Sequence, residues 1–295
     1  MKYKSCGNIG LFDAYNHKEK LSKMGNPLEK LLKVVDFELF RAELEENLLN
    51  HNKKNKAGAK PYDVVMMFKS ILLQRYYNLS DEQTEYQIVD CLSFRDFLGL
   101  LSGDQVTDAR TIWLFKANLT KRGVVEQLFE EFATHLDALG LFVNEGQIID
   151  ASFVEVPRQR NTKEENKQIQ DGNGEKLWDE NPYKQPQKDI DARWTKKNGE
   201  TFYGYKDHIK GDTKSKLIKT YTLTDAAVHD SQPTEDLPEN CDKGQTLHAD
   251  SAYSGEPIAK ILESKGIENQ IHEKGYRGKP LTDGQKASNK IKSKT

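Results

Sequence analysis

Apolar residues in the first half of the chain recur three and four positions apart, and after Gly140 that period gives way to alternation. Asn26 before Pro27 reads as an N-cap with proline at the first helical position, and Leu28, Leu31, Leu32, Val35 and Leu39 continue it as one stripe. Pro61 opens a second helix carrying Val64, Val65, Phe68, Ile71 and Leu72. Ser80 and Gln83 spell a capping box ahead of Tyr86, Ile88, Val89 and Leu92. Asp108 caps a helix with Ile112, Phe115 and Leu119, and Val125, Leu128, Phe129, Phe132, Leu136 and Leu139 form a stripe that Gly140 ends. Such stripes are core seams. The short helices between about 80 and 120 also fit a helix-turn-helix DNA reader, although short helices in series occur in any all-α domain.

The second half reads as strands at 147–154, 201–209 ("TFYGYKDHI"), 216–226 ("KLIKTYTLTDA") and 245–253 ("QTLHADSAY"), then a helix in "SGEPIAKILESKG" and a short strand in "ENQIH". Between the first two strands runs a polar insertion, 157–200, with "DGNGE" and "NPYKQPQ"; it predicts a long connection without structure of its own. The expected organisation is an all-helical domain over 1–140, for dimerisation or DNA-end binding, followed by an α/β domain with a mixed sheet over 141–295.

One residue breaks the strand pattern. In "QIIDASFVEV" the neighbours Ile148, Ile149, Ala151, Phe153 and Val154 predict a strand buried on both sides, where an uncompensated Asp150 would cost several kcal/mol, roughly. Asp250 in "LHADSAYSG" stands in a similar place, at the end of a short apolar run. If the first three strands form a meander and the fourth pairs with the first, the two carboxylates lie side by side. Adjacent carboxylates raise each other's pKa unless a cation sits between them, and Mg²⁺ (or Mn²⁺) is the natural one because it takes oxygen ligands. By spacing alone, a turn aspartate or an ion pair explains each residue as well.

Composition narrows the setting. With 31% charged residues in 295 and no apolar run near the length of a membrane span, the chain is expected to be soluble and without membrane contact. The start lacks a signal-peptide core, so the expected location is the cytoplasm. Cys6, Cys91 and Cys241 lie far apart without a CxxC pair, which argues against a zinc site or a disulfide framework. Net charge is only -2, but Lys274, Arg277, Lys279, Lys286, Lys290, Lys292 and Lys294 stand against Asp283 alone near the end. Arg158 and Arg160 directly follow the first strand, and Lys206 lies in the second. These bases are candidate DNA-phosphate contacts, with a solvated surface as the plain alternative. His229 and Asp230 fall near the sheet end where a site is expected, and Asp189 and Asp191 read as loop-pinning residues rather than ligands.

From about residue 60 onward, "KPYDVVMMFKSILLQRYYNLSDEQTEYQIVDCLSFRDFLGL", "DARTIWLFKANL", "GQIIDASFVEVPRQRN", "DIDARWTKKNGETFYGYKDHIKGD", "AAVHDSQ", "LHADSAYSG" and "GYRGKPLTDGQKASNKIKSK" resemble, in that order, the bacterial insertion-sequence transposases of the IS5 group. The resemblance implies an RNase H-like DDE domain behind a helical N-terminal domain. It implies metal-dependent cleavage at element ends and strand transfer into target DNA, with Asp150 and Asp250 as the first two acidic residues of the triad. Double-stranded DNA as partner, a homodimer on the DNA and a nucleoid location follow from the same likeness. Arg158, Arg160, Lys206, Arg277, Lys290 and Lys292 are its DNA-binding candidates here. The family's third carboxylate, a glutamate beyond the basic "NKxKSK" segment, has no match in this sequence. The expectation is therefore a truncated catalytic domain, inactive as it stands, with a lysine-rich end left disordered and strand residues such as Phe153 or Leu247 left wet; the alternative is a non-catalytic remnant that binds element ends.

Overall fold

The computed structural model describes residues 10, 12–49, 60–101, 103–181, 183–197 and 199–294, with the backbone alone at 186 and 240; Cys6 lies outside these. The chain forms two compact units, Met1–Phe132 and Ala133–Thr295.

The first unit is helical: α1 (Asp13–Lys23), α2 (Pro27–Val34), α3 (Arg41–Leu48), α4 (Val64–Tyr76), α5 (Asp81–Asp90), α6 (Leu92–Leu98), α7 (Ala109–Lys121) and the start of α8 (Val124–Ala138). The caps read from the sequence are in place. Asn26 accepts from the Leu28 N–H, Ser80 and Gln83 close a capping box on α5, and Asp108 accepts from the Thr111 N–H. The first stripe, however, is two helices. Val35 turns extended after α2, and Asp36 takes the Glu38 N–H to start a 3-10 turn, Phe37–Phe40, so a local side-chain bond wins over helix continuation. α1 buries no residue and so left no apolar stripe to read. The core gathers Leu28, Phe37, Phe40, Leu44, Met67, Leu73, Ile88, Phe97 and Ile112.

The second unit holds β1 (Gly146–Glu155), α9 (Lys163–Gln170), β2 (Arg193–Lys197), β3 (Glu200–Asp212), β4 (Ile218–Asp225), β5 (Thr246–His248), α10 (Glu256–Lys265), β6 (Glu268–Asn269) and α11 (Asp283–Lys292). The mixed sheet runs β2-β3-β1-β5-β6. β3 is long enough to take β2 along Glu200–Gly204 and β4 along Tyr205–Gly211, both antiparallel, while β1 pairs with it antiparallel on its other edge. β5 joins β1 in parallel. The anticipated meander of β1, β3 and β4, with the later strand returning to β1, is therefore the observed topology. At Gly204, with φ of 144°, an added Cβ would collide with the Val154 carbonyl oxygen, so glycine is what lets β3 approach β1 there.

Three expectations are corrected. The insertion is structured: a capping box of Thr162 and Glu165 starts α9, buried Trp178 donates to Glu165 (3.1 Å), and β2 extends the sheet. The lysine-rich end is helical, since Thr282 and Gln285 cap α11 and Asn289 exchanges two hydrogen bonds, of 2.9 and 3.0 Å, with the Glu273 backbone. β1 is not buried on both sides. Gln147 and Ile149 point into the core with Leu247, Tyr253, Ile258 and Leu262, whereas Ile148, Asp150, Ser152 and Val154 face out. Leu247 is fully buried and Phe153 stacks on Phe202 at 4.1 Å, so the wet residues are Ile148 (40% exposed) and Val154 (43%) on the opposite face. No helix among the described residues is long and apolar enough to cross a membrane.

Candidate active site

The pairing of β1 with β5 carries the two aspartates on neighbouring segments. Gly146 lies opposite Thr246, Gln147 opposite Leu247 and Ile148 opposite His248. Asp150 and Asp250 share that offset, Asp150 within β1 and Asp250 two residues past the end of β5. Each side chain is pinned by one oxygen. Asp150 Oδ1 accepts from the Ala151 N–H at 2.8 Å, and Asp250 Oδ1 accepts from the Ala252 N–H at 2.7 Å, capping the turn Ser251–Tyr253. The two Oδ2 atoms have no hydrogen bond among the described residues. Both carboxylates are exposed, so the burial penalty implied by a doubly covered strand does not arise.

On the covered face of β3 the picture is different. Lys206 is buried, with its ammonium 2.7 Å from Asp230 Oδ1, a hydrogen bond to the Val228 carbonyl, and the Phe153 ring 5.4 Å away. Lys197 reaches Asp230 Oδ2 at 3.3 Å. Burial would raise the Asp230 carboxyl, but these two cations overcome it and hold it below the usual carboxylate range. Two residues along, His208 is fully buried and shares a 2.8 Å bond with Thr224; burial lowers its pKa, opposed by Asp230 and helped by Lys206. His229 instead closes a turn onto Ser231 (2.8 Å) and is exposed. Lys206, a candidate phosphate contact, thus has its partners inside the fold.

Two groups were missed by sequence reasoning. Tyr253 is 1% exposed, and its hydroxyl has no hydrogen-bond partner. Burial first, then the charges of Asp230, Asp150 and Asp250, push its pKa well above the ordinary phenol value. In the sequence it is only the last residue of the predicted strand 245–253; the signal was the kind of ring, since a Phe would have filled the core without an orphan oxygen. Asp207 lies opposite Ser152 while Asp150 lies opposite Ile209, so Asp207 is a diagonal neighbour on the same outward face. Desolvation raises its pKa, and its Oδ1 is buried without a partner.

Among the described residues, the one group of three ligand-type side chains within 4.8 Å of one another is Glu239, Cys241 and Asp242. It already holds a cation. The fully buried Lys210 places its ammonium 2.7 Å from both Glu239 Oε2 and Asp242 Oδ2, so this is an internal ion cluster rather than a metal centre. Among the described residues, Asp150 and Asp250 belong to no such group of three. Of the remaining basic candidates, Arg158 is exposed with its guanidinium 5.5 Å over the Trp194 ring, and Arg160, Arg277 and Lys290 are exposed. Lys292 donates to the Ile271 carbonyl at 2.8 Å. Asp189 accepts from the Asp191 and Ala192 N–H groups and from the Tyr205 hydroxyl (2.6 Å), pinning the insertion to β3.

Residues 142–295, more than half of the chain, match the family model of the transposase DDE domain. The chain belongs to the DDE transposases. Residues 15–118 match a second model, the transposase domain DUF772, within the helical unit of this transposase. No solved structure matches the chain. The α/β unit is accordingly the RNase H-like DDE domain, the process served is DNA transposition, DNA is the partner, and a divalent metal ion is the cofactor such domains typically use. The residues present suit an oxygen-loving cation: two exposed carboxylates on β1 and just past β5, each with one oxygen fixed by a backbone N–H and one left open.

Proposed function

We propose that this transposase, as a member of the IS5 group, cleaves DNA at the ends of its insertion sequence and joins the freed 3'-hydroxyl to target DNA, with Asp150 and Asp250 holding Mg²⁺ or Mn²⁺. The observation that carries the reading is the shared β1–β5 register, with both Oδ2 atoms open. When bound, the ion supplies charge stabilisation to the attacking and leaving oxygens of a phosphodiester displacement. The Ala151 and Ala252 N–H groups keep the two carboxylates from swinging into solvent, which preserves their separation as DNA enters. Arg158 and Arg160, exposed just beyond β1, neutralise phosphates beside the pair, while Arg277, Lys290 and Lys292 offer a basic surface for DNA further along. Lys206 takes no part in this contact, since it is buried and its charge is matched by Asp230. A homodimer on the DNA accounts for the pairing of two element ends.

A second reading, binding of element ends without cleavage, is favoured by the lack of a third ligand beside Asp150 and Asp250 among the described residues. Incubation with end-containing DNA and Mg²⁺ separates the two. Under the first reading wild type releases a 3'-hydroxyl at the element end, and Asp150→Asn or Asp250→Asn abolishes release while end binding stays within about twofold, because an amide keeps the shape and loses the charge. Cleavage retained in either variant removes that aspartate from the site. Tight, specific binding with no cleavage by wild type selects the second reading.

A further inference from the structure

Ile149, Ala249 and Ile271 belong to one buried cluster on the covered face of the sheet. Each is followed at once by a polar residue that extended backbone sends to the opposite face: Asp150, Asp250 and His272. Asp150 lies within β1, and Asp250 keeps an extended backbone, with φ of -71° and ψ of 175°. For His272 the backbone hydrogen bonds settle the register. The Glu268 N–H donates to the Gln245 carbonyl at 2.9 Å, the Gln270 N–H to Leu247 at 2.9 Å and the His272 N–H to Ala249 at 3.1 Å. The parallel ladder that β5 and β6 begin therefore runs on past β6 in unbroken two-residue steps. Thr246 pairs with Glu268, and the same offset sets His272 beside Asp250. On its other edge β5 pairs with β1 as far as Ile148 and His248. Asp150, Asp250 and His272 thus stand on three successive segments and turn away from the same core.

The His272 ring is prepared as a ligand. Ser293, at the end of α11, donates its one hydroxyl proton to the Asn289 carbonyl at 2.8 Å, so in its 3.3 Å contact with His272 Nε2 the serine oxygen accepts. Nε2 therefore carries the ring proton, and Nδ1 keeps a lone pair with no hydrogen-bond partner among the described residues. A histidine whose one ring N–H is tied while the other nitrogen is open is in the state that metal-bound histidines adopt. We infer that His272 is the third protein ligand of the divalent cation, binding through Nδ1 beside the open oxygens of Asp150 and Asp250. This rests on the reading of those two aspartates as the cation site. The three ligand atoms do not all lie within 4.8 Å of one another, so the cation has to draw them together; the carboxylates are exposed and His272 is only half-buried, which leaves room for that rotation. A nitrogen ligand also sets selectivity. Mg²⁺ takes oxygen, whereas Mn²⁺ and the later transition metals accept imidazole as well, so the site favours Mn²⁺ over Mg²⁺.

The test is Mn²⁺ binding to the full chain, followed by the loss of the free-ion paramagnetic resonance signal, with Mg²⁺ as competitor, for wild type, His272→Ala, Ser293→Ala and Asp250→Asn. Spin-echo modulation of the bound Mn²⁺ reports a directly coordinated nitrogen, and thermal unfolding in EDTA reports the fold. The inference expects nitrogen modulation in wild type and its loss in His272→Ala. It also expects that variant to bind Mn²⁺ at least about tenfold more weakly, since losing a ligand costs no less than losing an outer partner, and to keep its Mg²⁺ affinity. Wild-type Mn²⁺ without nitrogen modulation overturns the inference, and so does modulation that persists in His272→Ala, which would put another imidazole such as His248 on the ion. If His272 only ties down α11, His272→Ala and Ser293→Ala lower the melting temperature alike and leave Mn²⁺ affinity unchanged; the inference then falls. Loss of Mn²⁺ in Asp250→Asn beside unchanged binding in His272→Ala keeps the cation site and removes His272 from it. If wild type binds no Mn²⁺, or Asp250→Asn binds it equally well, the cation site itself is wrong, and the inference falls with it.

Discussion

Lys210 shows how a sequence can hide the ionic structure of a strand. In "YKDHIKGD" nothing marks it as buried, yet the alternation of β3 carries Lys206, His208 and Lys210 to the covered face. Lys210 is paired with Asp242, itself fully buried, so replacing the lysine by Met leaves a buried carboxylate whose remaining cation contact is the longer one to Lys219, at 3.7 Å. Lys210→Met should cost about 3–5 kcal/mol, measured by urea unfolding; a loss under 1 kcal/mol would show that Asp242 finds another partner. Asp150 misled in the other direction. Its apolar neighbours suggested a strand covered on both faces, whereas the aspartate and its alternate partners Ile148 and Val154 face outward. Period-two alternation cannot be seen in a run where both faces carry Ile, Val and Phe, because an apolar residue is free to stay exposed while the reverse is costly.

Among the elements, caps were the most legible features because they are local: Asn26, Ser80 with Gln83, and Asp108 act on N–H groups within three residues. α9 and β2 were not legible. α9 is short and largely polar, and β2 owes its existence to pairing with the first half of β3, a contact that no local pattern encodes. The candidate site was legible to the extent that Asp150 and Asp250 could be named and the pairing of β1 with β5 anticipated; the open Oδ2 atoms and the buried Tyr253 hydroxyl depend on turn geometry and packing that the sequence does not display. Gly204 belongs to this scale as well. Gly204→Ala meets both a φ unfavourable for L residues and the Val154 carbonyl, so it should destabilise the α/β unit by at least about 2 kcal/mol. A melting temperature unchanged from wild type would mean that the β1–β3 contact relaxes freely there.

At the level of the whole molecule, net charge of -2 gives no general attraction to DNA, so binding has to come from local basic groups. If Arg158, Arg160, Arg277 and Lys290 reach phosphates, log K for DNA falls with log[salt] at about 0.9 per contact, and Arg158→Ala with Arg160→Ala should flatten the slope by about 2. A slope unchanged in that double variant would make these arginines surface alone. Stability should also carry the mark of buried histidines. Burial lowers the pKa of both His208 and His248 below the usual 6.5. Their contribution is therefore complete above about pH 6.5 and is lost as pH falls from there toward the folded-state values, because the unfolded chain takes up protons that the fold refuses. The slope is at most about 1.4 kcal/mol per pH unit for each histidine. Unfolding between pH 7 and 5 should show this decline, and His208→Gln should reduce it; an equal slope in the variant would exclude His208 as a source.

The proposed cation site of Asp150 and Asp250 is the centre of the account. The most direct measurement is an anomalous difference map from crystals of the transposase grown with Mn²⁺. The account expects a peak shared by Asp150 and Asp250, at about 2.1 Å from an oxygen of each, as for a small octahedral cation. No peak between them, or a peak at Glu239 and Asp242 in place of the Lys210 ammonium, would contradict it.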